Sequence, residues 1–256
     1  MSPIVIILAR AGSKGMPGKN RAPIAGKPCA QWTIEHALAS RSAPGVVLST
    51  DDPELLALAA RLGIAAVERS ATLADDRATV DCAAREALGQ IDRAQWAVAP
   101  ARPLPPIESP RTPIVLLYAN VPVRPADLTD RAVALLLGTE ADSVQSYAPV
   151  GKFHPWWMAR VGDDGVVRPW EGDVLNHNVF RRQDLPPCHV PDGGACCITR
   201  QALELAIPGV TPGPHAFLGL HRRGVLTAEG EVVDIDSPAD ALVAHALLGG
   251  ERPGTP

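Results

Sequence analysis

Short, continuously apolar runs alternate along this chain with longer segments whose apolar residues recur at helical spacing. A strand that is apolar at every position must be covered on both faces, and helices returning between such strands make the sheet mainly parallel. The pattern predicts strands over 4–9, 46–49, 64–67, 114–118, 143–147, 195–199 and 231–234, with helices over 28–39, 53–62, 80–88 and 128–137. Local chemistry sharpens two boundaries. Asp51 or Asp52 can cap the helix that Gly63 ends, and Ser237-Pro238 opens a final helix with a cap residue and a proline at its first position.

The fold expected is therefore α/β, a doubly wound, mainly parallel sheet in a single domain over 1–248. The stretch 147–191, rich in Trp, His, Arg and Pro, breaks the rhythm and reads as a small arm, and 249–256 reads as a flexible tail. Pro100, Pro103, Pro105, Pro106, Pro110 and Pro113 exclude helix or central strand over 97–112, which reads as an exposed excursion. Doubly wound sheets bind ligands beyond the carboxyl ends of their strands, which directs attention to the loops after Ala9, Ser49, Tyr118 and Val233.

The net charge of −4 argues against nucleic acid or an anionic membrane as partner, because both need a basic field. A negatively charged substrate would have to be held by local basic residues. No stretch approaches the roughly 20 apolar residues of a membrane span. The apolar run at the start is short and lacks a basic leader, so a cytoplasmic protein is expected. The five cysteines show no C-x-x-C pair and read as reduced thiols rather than a disulfide framework or zinc site.

The first strand runs into Arg10-Ala11-Gly12-Ser13-Lys14-Gly15-Met16-Pro17-Gly18-Lys19-Asn20. Glycines let the backbone bring N–H groups close to a ligand, and Arg10, Lys14 and Lys19 add positive charge, a combination that suits a triphosphate. The loop is not a Walker A motif: five residues separate Gly12 from Gly18, and Asn20 follows the lysine where Ser or Thr should stand. Taken alone it reads equally as a surface turn with solvated lysines.

Leu8-Ala9-Arg10 through Asn20, followed by Ala25-Gly26-Lys27-Pro28, resembles the signature of the acylneuraminate cytidylyltransferases. Leu48-Ser49-Thr50-Asp51-Asp52, Arg181-Arg182-Gln183-Asp184-Leu185-Pro186-Pro187 and Val233-Asp234-Ile235-Asp236-Ser237-Pro238 continue the resemblance in the family's order, across nearly the whole chain. Those enzymes make CMP-sialic acid and related CMP-activated nonulosonic acids from CTP. The resemblance implies a Rossmann-like nucleotidyltransferase that uses CTP, an acidic sugar and magnesium. It also implies a homodimer whose arm reaches toward the partner's site.

Carried over position by position, Arg10 and Lys19 would contact the phosphates, with Ala9, Gly12, Ser13 and Lys14 around them and Asn20 near the ribose or base. Arg69 stands where the family has an arginine near the base. Asp234 and Asp236, two apart on the last expected strand, would face the same side and converge on one hard cation, with Arg10 and Lys19 completing the catalytic set. The alternative for this pair is a helix cap at Asp236 or Ser237 and a solvated carboxylate. Asp51 would either orient nearby groups or cap the next helix. Arg182 and Gln183 match the family's step near the acceptor, where an arginine fork suits a carboxylate.

The acceptor side departs from the family. Tyr118-Ala119-Asn120-Val121-Pro122-Val123-Arg124 replaces a Gln-Pro-Thr-Ser-Pro-Leu-Arg run, so Tyr118, Asn120 and Arg124 are candidate acceptor contacts. Gly193-Gly194-Ala195 replaces Asn-Gly-Ala, making Gly193 another. These changes imply retained nucleotidyl transfer with an altered acceptor. His154-Pro155-Trp156-Trp157 reads as packing or as substrate wall, and Cys196-Cys197 as core. Competing readings are a 3-deoxy-manno-octulosonate type of nucleotidyltransferase, one using a different NTP, or a non-catalytic nucleotide-binding regulator.

Overall fold

The computed structural model describes residues 2–12, 15–73 and 79–250. Strand β1 (Ile4–Ala9) is buried at all positions and leads through a small hairpin, β2 (Pro23–Ile24) and β3 (Lys27–Pro28), into α1 (Cys29–Ala39). Ala25 and Gly26 both take positive φ at the hairpin turn, 46° and 82°, the twist that a two-residue connection demands. Then follow β4 (Gly45–Thr50), α2 (Pro53–Leu62), β5 (Ala65–Glu68), α3 (Val80–Asp92), β6 (Pro113–Tyr118), α4 (Leu128–Leu137) and β7 (Ser143–Pro149). The arm carries β8 (Ala159–Val161) and β9 (Val167–Pro169). After it the chain returns through β10 (His189–Thr199), α5 (Arg200–Leu203), β11 (Arg222–Leu226) and α6 (Pro238–Leu248).

The main sheet has seven strands in the order β11-β7-β10-β6-β1-β4-β5. Every neighbouring pair is parallel except those of β10, which runs antiparallel to both β6 and β7. Alternate residues of β1 enter opposite layers. Val5 and Ile7 pack under α1, α2 and α4, whereas Ile4, Ile6 and Leu8 pack under α3 and the Phe217–Leu218 turn. The expected doubly wound, mainly parallel architecture is therefore present. Strand order reverses between β1 and β6, which places a crevice beyond Ala9 and Tyr118.

Two elements differ from expectation. Residues 231–234 form no strand; Val233 makes only an isolated antiparallel bridge to Val123, and the segment crosses the end of the sheet. The seventh strand is instead β11, where Arg222, Arg223 and Gly224 are exposed and Val225 alone is buried, so it lacks the apolar run that marks the other strands. Residues 97–112 form an excursion without helix or sheet strand, pinned by buried Ile107 and by the bridge of Val98 to Ala66. Asp52 accepts from Glu54 N as the cap of α2, and Gly63 ends that helix in the left-handed region. Ser237 caps α6 in a reciprocal box with Asp240. Gly249 follows α6, and the tail from 251 on lies outside the described residues. Among the described residues no helix is long and apolar enough to cross a membrane.

Candidate active site

The loop after β1 is held both by its neighbours and by bonds within itself. Ala11 N donates to Asp51 Oδ1 at 2.7 Å, so Asp51 orients the loop while Asp52 caps α2 and pairs with Arg21 at 3.0 Å. Asn20 is buried; its Nδ2 donates to Arg10 O at 2.9 Å, and its backbone carbonyl accepts from Ala30 N. A Cβ on Gly15 would stand 2.7 Å from the carbonyl oxygen of Asp236, so only glycine allows the loop to approach the 234–236 segment this closely. Gly12 faces open space. Ser13 and Lys14 lie outside the described residues.

Arg10, Lys19, Asn20, Arg69, Tyr118 and Asn120 line one cavity of about 220 Å³ beyond the ends of β1 and β6. Arg69 is 7% exposed, yet its Nε and Nη2 have no hydrogen-bond partner among the described residues. Burial pushes its guanidinium below the usual range, with Asp51 and Glu86 acting to restore the charge. Asn20 Oδ1 is likewise buried without a partner among the described residues. Unpaired buried donors and acceptors cost about 1–3 kcal/mol each, a cost that a ligand offering complementary groups removes. Ala9, at the end of β1, is buried directly behind Arg10.

Tyr118 also lines a second cavity, of about 390 Å³, shared with Gln145, Asp192, Gly193, Cys196 and Asp234. Its ring thus stands between the two. Burial pushes the phenol well above its ordinary value, so it is a neutral hydroxyl. Gly193 has a φ of 74°, and a Cβ there would meet the Tyr118 ring at 3.7 Å and Asp234 Oδ2 at 3.8 Å.

Asp234 and Asp236 reach the seam between these cavities without a strand. Ile235 N donates to Asn120 O at 2.8 Å and the Ile235 side chain is fully buried, which turns the residues on either side outward. Asn120 Nδ2 donates to Asp234 Oδ1, and Lys19 Nζ donates to Asp236 Oδ1 at 2.6 Å. Burial first, and then the neighbouring Asp236, raise the Asp234 carboxyl to about 6; Lys19 and Arg124 pull it down. Two carboxylates that repel each other, each with one oxygen held by a protein donor, form a donor set suited to a hard divalent cation.

Three candidate acceptor residues stand elsewhere. Arg124 lines neither cavity: it donates to Thr33 Oγ1 at 3.2 Å and to the Tyr118 carbonyl at 3.3 Å, and burial lowers it to about 10. It braces the turn that carries Tyr118. Arg182, on the arm, pairs with Glu229 just after β11, and Gln183 is exposed, so neither joins the two cavities within one chain. The tryptophan pair packs the arm: Trp156 stacks on His177 at 4.6 Å and Trp157 Nε1 donates to Val179 O. Cys196 and Cys197 are core, with burial raising both thiols. Residue patterns alone give no sign of Gln145 and Asp192; the Asp-Gly-Gly turn signal at 192–194 is the available hint.

A family model described as cytidylyltransferase matches residues 4–100. The chain is 30% identical over 195 residues to the N-acylneuraminate cytidylyltransferase of Streptococcus agalactiae serotype III, covering 75% of this chain and 42% of that protein. It therefore spans less than half the length of that relative. It is 39% identical over 89 residues to the pseudaminic acid cytidylyltransferase of Campylobacter jejuni subsp. jejuni serotype O:23/36, covering 34% of this chain and 38% of the relative. In fold it is similar to a CMP:2-keto-3-deoxy-manno-octonic acid synthetase solved with CTP, with a TM-score of 0.66, 17% identity, and coverage of 98% of this chain and all of that one.

Proposed function

We propose that this chain, a divergent member of the acylneuraminate cytidylyltransferase family, joins CMP from CTP to the anomeric hydroxyl of a sialic-acid-like sugar and releases pyrophosphate. The observation that carries this reading is the meeting of Lys19, Asn120, Asp234 and Asp236 at the seam of two cavities divided by Tyr118. Such a seam suits a reaction in which a nucleotide and an acceptor lie in separate pockets and exchange a group between them.

CTP would occupy the cavity with Arg69, whose unpaired Nε and Nη2 offer donors to the base, while Asn20 Oδ1 accepts from a ribose hydroxyl. Arg10 and Lys19 neutralise phosphate charge, and pre-positioned charge of this kind is the main contribution a protein makes to such transfers. The acceptor oxygen attacks the α-phosphorus, the bond to the β-phosphate oxygen breaks, and pyrophosphate leaves with that electron pair. The hydroxyl proton passes to water. Magnesium, where bound, would be held by Asp234 and Asp236 and would neutralise the triphosphate. Asp234 serves in this role only when ionised, and its raised carboxyl makes that a matter of pH.

The arm exposes Phe153, Val161, Trp170 and Phe180, the last 92% accessible, which supports pairing of two copies through it. Light scattering that gives the mass of one chain refutes the pairing.

The function is tested by pyrophosphate release from magnesium with each of the four NTPs and a panel of acidic sugars. Release with CTP and a nine-carbon acid is expected. Release with the eight-carbon octulosonate alone favours that acceptor class instead. CTP binding with no release under any condition points to a nucleotide-binding regulator.

A further inference from the structure

The second cavity has an unusual charge. Two carboxylates, Asp192 and Asp234, line it together with the Gln145 amide and the Tyr118 phenol, and no Lys, Arg or His among the described residues joins them. Asp234 is claimed by the reaction centre; Asp192 is not. The register of β10 against β7 breaks between Pro191 and Cys196, and the irregularity presents Asp192 and Gly193 to the cavity. Gly194 locks it in place, since a Cβ there would stand 2.7 Å from Leu128 Cδ2.

The Asp192 carboxylate is oriented by three donors. Oδ1 accepts from the Ser146 hydroxyl and from Gly194 N at 2.9 Å, and Oδ2 accepts from Thr227 Oγ1 at 2.6 Å. An ionised carboxylate has about four acceptor sites, so one is left for a ligand. None of the three donors is charged. A ligand group beside Asp192 therefore meets an oriented negative charge, an amide and a neutral phenol.

Resting on the cytidylyl-transfer reading, we propose that Asp192 is a specificity-determining residue of the acceptor pocket. It receives a hydroxyl or amino substituent of the acidic sugar and rejects an acceptor that carries a second anion at that position. The preferred acceptor has the anomeric carboxylate as its sole anion and donor groups elsewhere, with an ammonium favoured most strongly. Discrimination of this kind works as much by repelling the wrong acceptor as by attracting the right one.

The test takes the acidic sugar that gives the fastest pyrophosphate release and replaces its hydroxyls, position by position, with an amino group or a sulfate ester. At one position the unmodified protein should favour the amino derivative over the sulfate by at least about tenfold in kcat/KM, corresponding to roughly 1.4 kcal/mol. Asp192→Asn should shrink that ratio by about tenfold. Gln145→Glu, which adds charge to the same wall, should enlarge it. CTP affinity should be unchanged in both. Should Asp192→Asn fail to fold, Gln145→Glu decides alone. Pyrophosphate release with a ratio unmoved by Gln145→Glu at every position overturns this assignment and leaves the transfer reading intact. No release from any acidic sugar overturns the transfer reading, and this assignment falls with it.

Discussion

Replacing Asp234 with asparagine should make the ligand-free protein more stable while removing one ligand of the proposed metal site. The Asp234 carboxyl is raised from 3.8 to about 6, by burial first and by Asp236 second. A carboxyl whose folded value lies above its unfolded one favours the folded state at low pH and loses that advantage as pH rises through the window between the two. At pH 7.5 the group is ionised against its surroundings. A shift of about two units corresponds nominally to roughly 3 kcal/mol. Because Asp234 is more than a third exposed, water screens much of this, and about 1 kcal/mol is the expected size. The amide introduced by Asp234→Asn could still accept from Asn120 through its carbonyl oxygen, so the local hydrogen bond survives.

For a chain of this length about 1 kcal/mol corresponds to roughly 2–4 °C in Tm. The assay is thermal unfolding of both proteins from pH 4.5 to 8 in chelator, repeated with saturating magnesium. Asp234→Asn should melt higher at pH 7.5, with the advantage shrinking toward pH 4.5. Magnesium should raise the Tm of the unmodified protein and leave the variant unmoved. An advantage independent of pH, or a variant less stable than its parent at pH 7.5, refutes the electrostatic reasoning.

Other substitutions separate binding, chemistry and packing. Arg69→Met should weaken CTP binding at least tenfold by calorimetry without lowering the apo Tm, because it removes a buried guanidinium with unpaired nitrogens. Lys19→Met should lower kcat by about 10²–10³ while changing stability little, since its partner Asp236 is mostly exposed. Gly194→Ala should destabilise by about 1–3 kcal/mol in urea titrations, as its Cβ would press into Leu128. In the metal-dependent assay, activity should fall below pH 6 as Asp234 takes up a proton.

The buried framework is readable from the chain because β1 and β6 are apolar almost throughout and α2 and α6 carry explicit caps. The helix 53–62, with Asp52 before it and Gly63 after it, matches its predicted bounds to the residue. The grouping of Arg10, Lys19 and Asn20 around one cavity is readable too, since they lie close together in sequence. The acidic pair is expected for a reason that is only half right. Alternation does turn Asp234 and Asp236 outward around buried Ile235, but backbone bonding to Asn120 imposes it, without a strand.

What sequence could not show comes from contacts between distant segments. Edge strand β11 hides behind two arginines and a glycine because one side chain alone is buried there. Asp192 acquires its setting from Ser146 and Thr227, 46 and 35 residues away. Arg182 and Arg124 illustrate the converse: a residue type suited to a carboxylate is spent on Glu229 in one case and on the Tyr118 turn in the other.

The most direct test of cytidylyl transfer follows the α-phosphorus itself. Purified protein is incubated with magnesium, an acidic nine-carbon sugar and CTP labelled at the α-phosphate, and the products are separated by chromatography. The label should appear in a CMP–sugar conjugate in amounts equal to the pyrophosphate released, and Asp236→Ala should abolish both. Label recovered only as CTP, or as free CMP with no conjugate at any time point, contradicts the account.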